Sequence, residues 1–117
     1  MARVSSCLFC GIAAGETPAE VVHSSDGVIA FRDINPQAPT HLLLVPKEHV
    51  ESVAALGDEH SVLLSEIFVT ARHLAQAEGI AESGWRLVTN VGPDAGQSVP
   101  HLHFHLLGGR VLGWPPG

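Results

Sequence analysis

Three of the chain's eight histidines fall within five residues, in the run Val99-Pro100-His101-Leu102-His103-Phe104-His105-Leu106-Leu107. Imidazole is the side chain whose ordinary pKa lies nearest neutrality, so such a group can attack as a nucleophile, pass a proton or bind a metal at physiological pH. Alternation with Leu102, Phe104 and Leu106 is the pattern of a β-strand, whose successive side chains point to opposite faces. It predicts a row of imidazoles on a reactive face and a row of apolar anchors in a core. Neighbours in such a row lie about 7 Å apart, and mutual repulsion with partial burial keeps the row largely neutral, with lone pairs available. Alternate-strand histidines also ligate zinc in unrelated β-proteins, so the run alone leaves catalysis and metal binding both open. A second group with ligand chemistry is Cys7 and Cys10, three positions apart and the chain's two cysteines. That spacing suits metal binding, redox chemistry or plain packing better than a structural disulfide.

The elements that must hold these groups follow from periodicity and breakers. Leu8, Phe9, Ile12 and Ala13 predict a short helix over residues 7–14, ended by Gly15 and kept from continuing by Pro18. Residues 21–23 and 28–31 read as two strands of a hairpin, with Ser24-Ser25-Asp26-Gly27 as the turn. Asn35-Pro36-Gln37-Ala38-Pro39 then breaks regular structure. Residues 41–45 form the next strand, and the unbroken apolar run Leu42-Leu43-Leu44-Val45 predicts cover on both faces. The cover comes from a long helix over 58–78, where Leu64, Ile67, Phe68, Ala71, Leu74 and Ala75 recur at helical spacing. Asp58 is its expected N-cap and Gly79 lies just past its end. Residues 85–90 give a fourth strand, 91–98 a glycine-containing loop and 101–107 the final strand. The expected fold is α+β, a five-stranded antiparallel meander sheet with one long helix and a short N-terminal helix. The tail, 108–117, has too few interactions of its own to order, and Trp114 within it is a candidate for packing on a second subunit.

Composition narrows the function. At 117 residues, 45% apolar and 15% charged, one domain over 1–117 with a single core is expected, with no repeat and no disordered tract. A formal charge of −6 argues against nucleic-acid partners, which are held by neutralising many phosphates. One small anion bound by local donors fits the same charge. No basic segment followed by an apolar run opens the chain, and nothing approaches the roughly 20 apolar residues that span a bilayer, so no membrane and a cytoplasmic location are expected.

Several longer stretches match a known pattern in order and over nearly the whole chain. The run 101–107, with Asp33-Ile34-Asn35-Pro36-Gln37-Ala38-Pro39-Thr40-His41, Val45-Pro46-Lys47, Gly96-Gln97-Ser98-Val99 and Trp114-Pro115-Pro116-Gly117, resembles the histidine-triad (HIT) superfamily. Within it, the chain is similar to the Hint branch, the purine nucleoside phosphoramidases. The resemblance implies a HIT-like fold whose sheet continues across a homodimer, each tail lying near the partner's active site. It implies hydrolysis of purine nucleoside 5′-phosphoramidates, AMP–amine compounds, at the P–N bond through a covalent nucleotidyl-histidine. No organic cofactor is implied.

The same resemblance distributes roles. His103 becomes the nucleophile, one ring nitrogen held by a backbone carbonyl and the other facing phosphorus, so that one difficult substitution is split into two easier ones. His105 contacts phosphate oxygens and His41 supports the triad. Ser98 sits beside the phosphate and leaving group, although serine in such a loop also serves as a turn cap. Gly96 and Gln97 bring that loop close to the anion, and Asn90 reaches phosphate or ribose. Asp33 accepts hydrogen bonds from the ribose hydroxyls. Leu8, Phe9, Ile12, Phe31 and Ile34 match the base pocket, though residues of these types serve equally as plain core. Trp114 adds a contact from the tail. Arg32 departs from the histidine found there in eukaryotic Hint proteins and leaves preferences at the pocket rim open. Cys7, Cys10, His49 and His101 match the structural zinc set of many bacterial HIT proteins, but other Hint proteins lack these cysteines. His101 therefore either ligates zinc or joins the proton network. The alternative functions are a dinucleoside polyphosphate hydrolase or nucleotidyl transferase of another HIT branch, or a nucleotide-binding interaction module with little turnover. His105, where the transferase branch has glutamine, and the Trp114-Pro115-Pro116-Gly117 ending both count against the other branches.

Overall fold

A computed structural model describes residues 3–117. The elements run α1 (Leu8–Ala13), β1 (Val21–Ser24), β2 (Val28–Arg32), β3 (Thr40–Pro46), α2 (Ser61–Ala77), β4 (Trp85–Val88) and β5 (Phe104–Gly108), with short 3-10 turns at Val53–Ala55 and Asp58–His60. Every strand pair is antiparallel, in the spatial order β1-β2-β3-β5-β4. The expected α+β class and five-stranded antiparallel sheet are present. Its order departs from a sequential meander at one place, because β5 lies between β3 and β4. Burial explains the insertion: β5 alternates buried and half-buried residues, whereas all four residues of β4 are half-buried and suit an edge.

All seven residues of β3 are buried, as the unbroken apolar run requires, and the two faces have different covers. Leu42 and Leu44 pack with Ile67, Ala71 and Leu74 of α2 and with Leu102, Phe104 and Leu106. Leu43 and Val45 face the other way, onto Phe9, Cys10 and Ile12 of α1. The short helix is thus the second cover. Full burial of each leucine contributes about 1.5–3 kcal/mol, so β3 is the spine on which both layers are assembled.

Both helices end alike. Gly79 (φ +75°) follows α2, its N–H donating to the Gln76 carbonyl and that of Ile80 to Ala75; Gly15 (φ +76°) follows α1 with the matching bonds from Gly15 to Ile12 and Glu16 to Gly11. Only glycine takes this left-handed conformation without strain. The start of α2 corrects the expectation. Asp58 opens a 3-10 turn instead of capping the helix, and His60 is the N-cap, its Nδ1 accepting from the Gly57 N–H at 3.0 Å.

Two further corrections bear on the site. The last strand begins at Phe104, so His101 and His103 precede the ladder. Their segment satisfies its backbone elsewhere: the Leu102 N–H donates to the Val50 carbonyl at 2.6 Å, and the Thr89 hydroxyl donates to the His103 carbonyl at 2.8 Å. The tail is not without partners. Arg86 Nη2 donates to the Gly113 carbonyl and Arg110 Nε to the Gln37 carbonyl, each at 3.0 Å. Trp114 nonetheless remains 81% exposed. No helix among the described residues is long and apolar enough to cross a membrane.

Candidate active site

His103 is buried, and its Nδ1 lies 2.7 Å from the His101 carbonyl oxygen. A carbonyl only accepts, so this nitrogen carries the hydrogen and the lone pair of the neutral ring resides on Nε2. Phe9 of α1 stands edge-on to the ring at 5.1 Å between centroids and fixes its plane from the side. A buried imidazole with one nitrogen donating to a fixed acceptor is poised for attack through the other.

His105 follows on β5, its ring centroid 5.1 Å from that of His103. A chain of hydrogen bonds settles its tautomer. The Gln37 N–H donates to His41 Nδ1 at 3.0 Å, which leaves the hydrogen of neutral His41 on Nε2. That nitrogen is 2.9 Å from His105 Nδ1 and 3.4 Å from Asp33 Oδ2. His105 Nδ1 therefore accepts, and its Nε2–H remains as a donor for an anion. Burial lowers the His105 pKa to about 4, with repulsion from His103 and His41 adding to it and Asp33 opposing. Burial likewise lowers that of His41, against the pull of Asp33. Both rings are neutral near pH 7, so the relay works by oriented dipoles.

These groups open onto a pocket of about 420 Å³ between α1 and the sheet. Its lining includes Leu8, Phe9, Ile12, Phe31, Asp33, Ile34 and Ser98 as well as His103 and His105. Phe9 and Phe31 meet edge-to-face at 5.5 Å. The result is an apolar slot with a carboxylate at one side and two imidazoles at another, the usual construction of a small-molecule site. Ile34 borders the pocket but is fully exposed, a rim residue and not part of the floor.

Several residues expected in the site are elsewhere within this chain. Gln97 braces its own loop: its Oε1 accepts from the Gly92 N–H, and its Nε2 donates to the Glu51 and Val99 carbonyls. Gly96 (φ +82°) makes the turn of that loop without bordering the pocket. Asn90 is outside the apolar pocket but lies on the other side of His105, in a cavity of about 430 Å³ that His41 and His105 also line, with Arg86, Arg110 and tail residues. Trp114 borders neither. Conversely, Thr17, Pro18, Ala19, Leu43 and Val99 line the pocket unforeseen. Leu43 carried a signal, since it is the member of the Leu42-Leu43-Leu44 run whose parity opposes the main core. Arg32 also reaches the rim, held by a two-bond pair to Glu78 and by Glu20, all at 2.9 Å.

His101 turns away from the reactive pair. It is fully buried, its Nε2–H donates to the Pro46 carbonyl at 2.8 Å, and its Nδ1 faces the thiols of Cys7 at 3.3 Å and Cys10 at 3.6 Å. His49 Nδ1 lies 3.4 Å from the Cys10 sulfur. The four donor atoms are all within 4.8 Å of one another. A tetrahedral zinc with its usual bond lengths separates sulfur from nitrogen by about 3.5 Å, so this set matches the ion's geometry. Burial lowers the pKa of His101, keeping its Nδ1 lone pair free at neutral pH.

A triad-derived imidazole pair above an apolar pocket, carried on this sheet, defines a hydrolase of the histidine-triad type. Residues 14–112 match the family model described as HIT domain, and the chain belongs to that family. It is 45% identical over 106 residues to the purine nucleoside phosphoramidase of Escherichia coli, covering 91% of this chain and 89% of the relative. It is also 45% identical over 115 residues to a 14 kDa zinc-binding protein of Zea mays, covering 97% and 89%. The crystal structure of a HIT family hydrolase from Legionella pneumophila superposes with a TM-score of 0.94 at 55% identity, over 96% of this chain and all of that one.

Proposed function

We propose that the protein hydrolyses purine nucleoside 5′-phosphoramidates, compounds of the AMP–amine type, at the P–N bond, with His103 as the nucleophile. The observation that carries this reading is the 2.7 Å bond from His103 Nδ1 to the His101 carbonyl, which aims the Nε2 lone pair into the pocket. The base lies between Phe9 and the other apolar walls, and Asp33 takes the ribose hydroxyls. His105 Nε2–H and Ser98 hold phosphate oxygens, the former neutral and so a donor that does not lock the anion in place. Nε2 of His103 bonds to phosphorus as the P–N bond to the amine breaks, and the departing nitrogen takes a proton from solvent water so that a neutral amine leaves. The nucleotidylated ring is cationic, its Nδ1–H still donating to the His101 carbonyl, which makes it a good leaving group. Water then attacks phosphorus and gives up a proton to solvent, the His103–phosphorus bond breaks to restore the neutral ring, and the nucleoside monophosphate departs.

The residues around His101 suit a structural zinc held by Cys7, Cys10, His49 and His101; the ion would close a tetrahedral set and tie α1 to the sheet. The identity with a zinc-binding relative supports that reading. The β4 edge supports a homodimer whose sheet runs through the two-fold axis. His103→Ala decides the central assignment. Release of amine from adenosine 5′-phosphoramidate should fall to background while AMP binding is kept within about threefold, because only the attacking atom is lost. Unchanged turnover in that variant rejects the mechanism, and AMP binding without turnover in the parent protein returns the reading to an interaction module.

A further inference from the structure

Resting on the reading of His103 as nucleophile, we propose that the Cys7, Cys10, His49 and His101 set, loaded with a divalent metal, is a positioning device for His103 as well as a fold anchor. One residue belongs to both sites. The His101 ring presents Nδ1 to the two thiols at 3.3 and 3.6 Å, while the carbonyl of the same residue is the acceptor, at 2.7 Å, that fixes the tautomer and aim of His103. A displacement of His101 therefore moves the acceptor of the attacking ring with no intervening side chain.

A second connection runs through α1. Cys7 caps this helix, its sulfur accepting the Cys10 N–H at 3.4 Å, and both thiols face the His101 ring. Phe9, between them in sequence, touches the His101 ring at 5.9 Å and the His103 ring at 5.1 Å between centroids while lining the nucleoside pocket. Closing the four-donor set thus holds the carbonyl behind His103 and the aromatic edge beside it. Two other bonds restrain the segment, the His101 Nε2–H to Pro46 and the Leu102 N–H to Val50. Were these sufficient alone, the set would serve stability only. The distinction is measurable, because stability and the state of the His103 ring are separate readouts.

The test uses the full chain in three forms: metal-loaded, stripped with a chelator and reloaded with Zn2+ or Co2+, and the variant His49→Gln. The variant weakens the set at the ligand that does not carry the His103 acceptor. Absorption of the Co2+–thiolate bonds reports occupancy, and circular dichroism fixes a temperature at which all forms are folded. Histidine-labelled protein then gives the nitrogen resonances of His103, assigned by their loss in His103→Ala. Loaded protein should show one Nδ1–H tautomer; stripped protein and His49→Gln should show exchange between tautomers, reversed in the former by reloading. Single-turnover formation of the His103 adduct should slow by about ten- to a hundredfold, the range typical of removing an orienting partner, with AMP affinity changed less than about threefold. An unchanged His103 signal and adduct rate in stripped, folded protein overturns the proposal even if the melting temperature falls. Failure of the protein to take up either ion overturns it too. If the loaded parent forms no adduct, the phosphoramidase reading fails by itself, and the tautomer signal still decides the positioning claim.

Discussion

Burial holds His105 at a pKa of about 4, well below the ordinary 6.5, with repulsion from His103 and His41 adding to it and Asp33 opposing. A buried imidazole of this kind stabilises the fold only while neutral. An unfolded chain takes up the proton near pH 6.5 and the folded one near 4, so the contribution is complete above the upper value and is lost as the pH falls through the window. From about pH 7.5 to about pH 5 the unfolding free energy should fall by about 1–2 kcal/mol from this residue, discounting for its partial exposure. Urea unfolding of the parent and of His105→Gln checks it, since the difference in slope between the two isolates His105 from the carboxylates. Equal slopes refute the assignment. Type and spacing alone left these three histidines alike, and the family resemblance gave them separate roles. Their separate states come from the His101 carbonyl two residues before His103 and, across the fold, from the Gln37–His41 relay for His105 and two thiols for His101.

Among the elements, β3 shows how much of this arrangement the pattern held. Its apolar run announced cover on both faces, and the spacing of Ile67, Ala71 and Leu74 announced one of the covers. That the other is α1 followed only from the resemblance, whose zinc set and base pocket join this helix to the sheet, because a six-residue helix has too little periodicity to indicate which sheet face it meets. The start of β5 was illegible for a related reason: alternation continues through His101 and His103, while the carbonyl of Val50, distant in sequence, draws the backbone of Leu102 out of the ladder. Two adjacent leucines of β3 should accordingly fail in different ways. Leu44→Ala opens a cavity in the core against α2 and should cost about 2–5 kcal/mol of stability, read as a lower urea midpoint. Leu43→Ala removes pocket lining and should raise the AMP dissociation constant by about three- to tenfold. If Leu43→Ala leaves AMP affinity untouched, the pocket between α1 and the sheet is not the nucleoside site.

For the whole molecule, the proposed homodimer needs one sheet edge at which a second copy can pair. An edge strand exposes unpaired backbone groups, and proteins blunt the edges they keep in solvent. The β1 edge is blunted by a register shift between Val21 and His23. The β4 edge pairs regularly with β5 on one side, and its four residues remain half-exposed. In the single chain α2 leaves Val62, Phe68 and Val69 in solvent, and the Phe68 ring lies 5.8 Å from that of Phe104 on β5, the strand beside β4. A two-fold axis through β4 would join the two sheets and cover these side chains together, giving the continuous apolar patch a stable interface needs. The exposed Trp114 tail is compatible with reaching that partner, whereas its own chain gives the indole no seat. Val62→Asp with Val69→Asp tests the arrangement, because both side chains are exposed in the single chain and their change should leave its fold within about 0.5 kcal/mol. Light scattering should give the mass of two chains for the parent and of one for the double variant at the same concentration. A monomeric parent, or a double variant that stays dimeric, excludes this face as the interface.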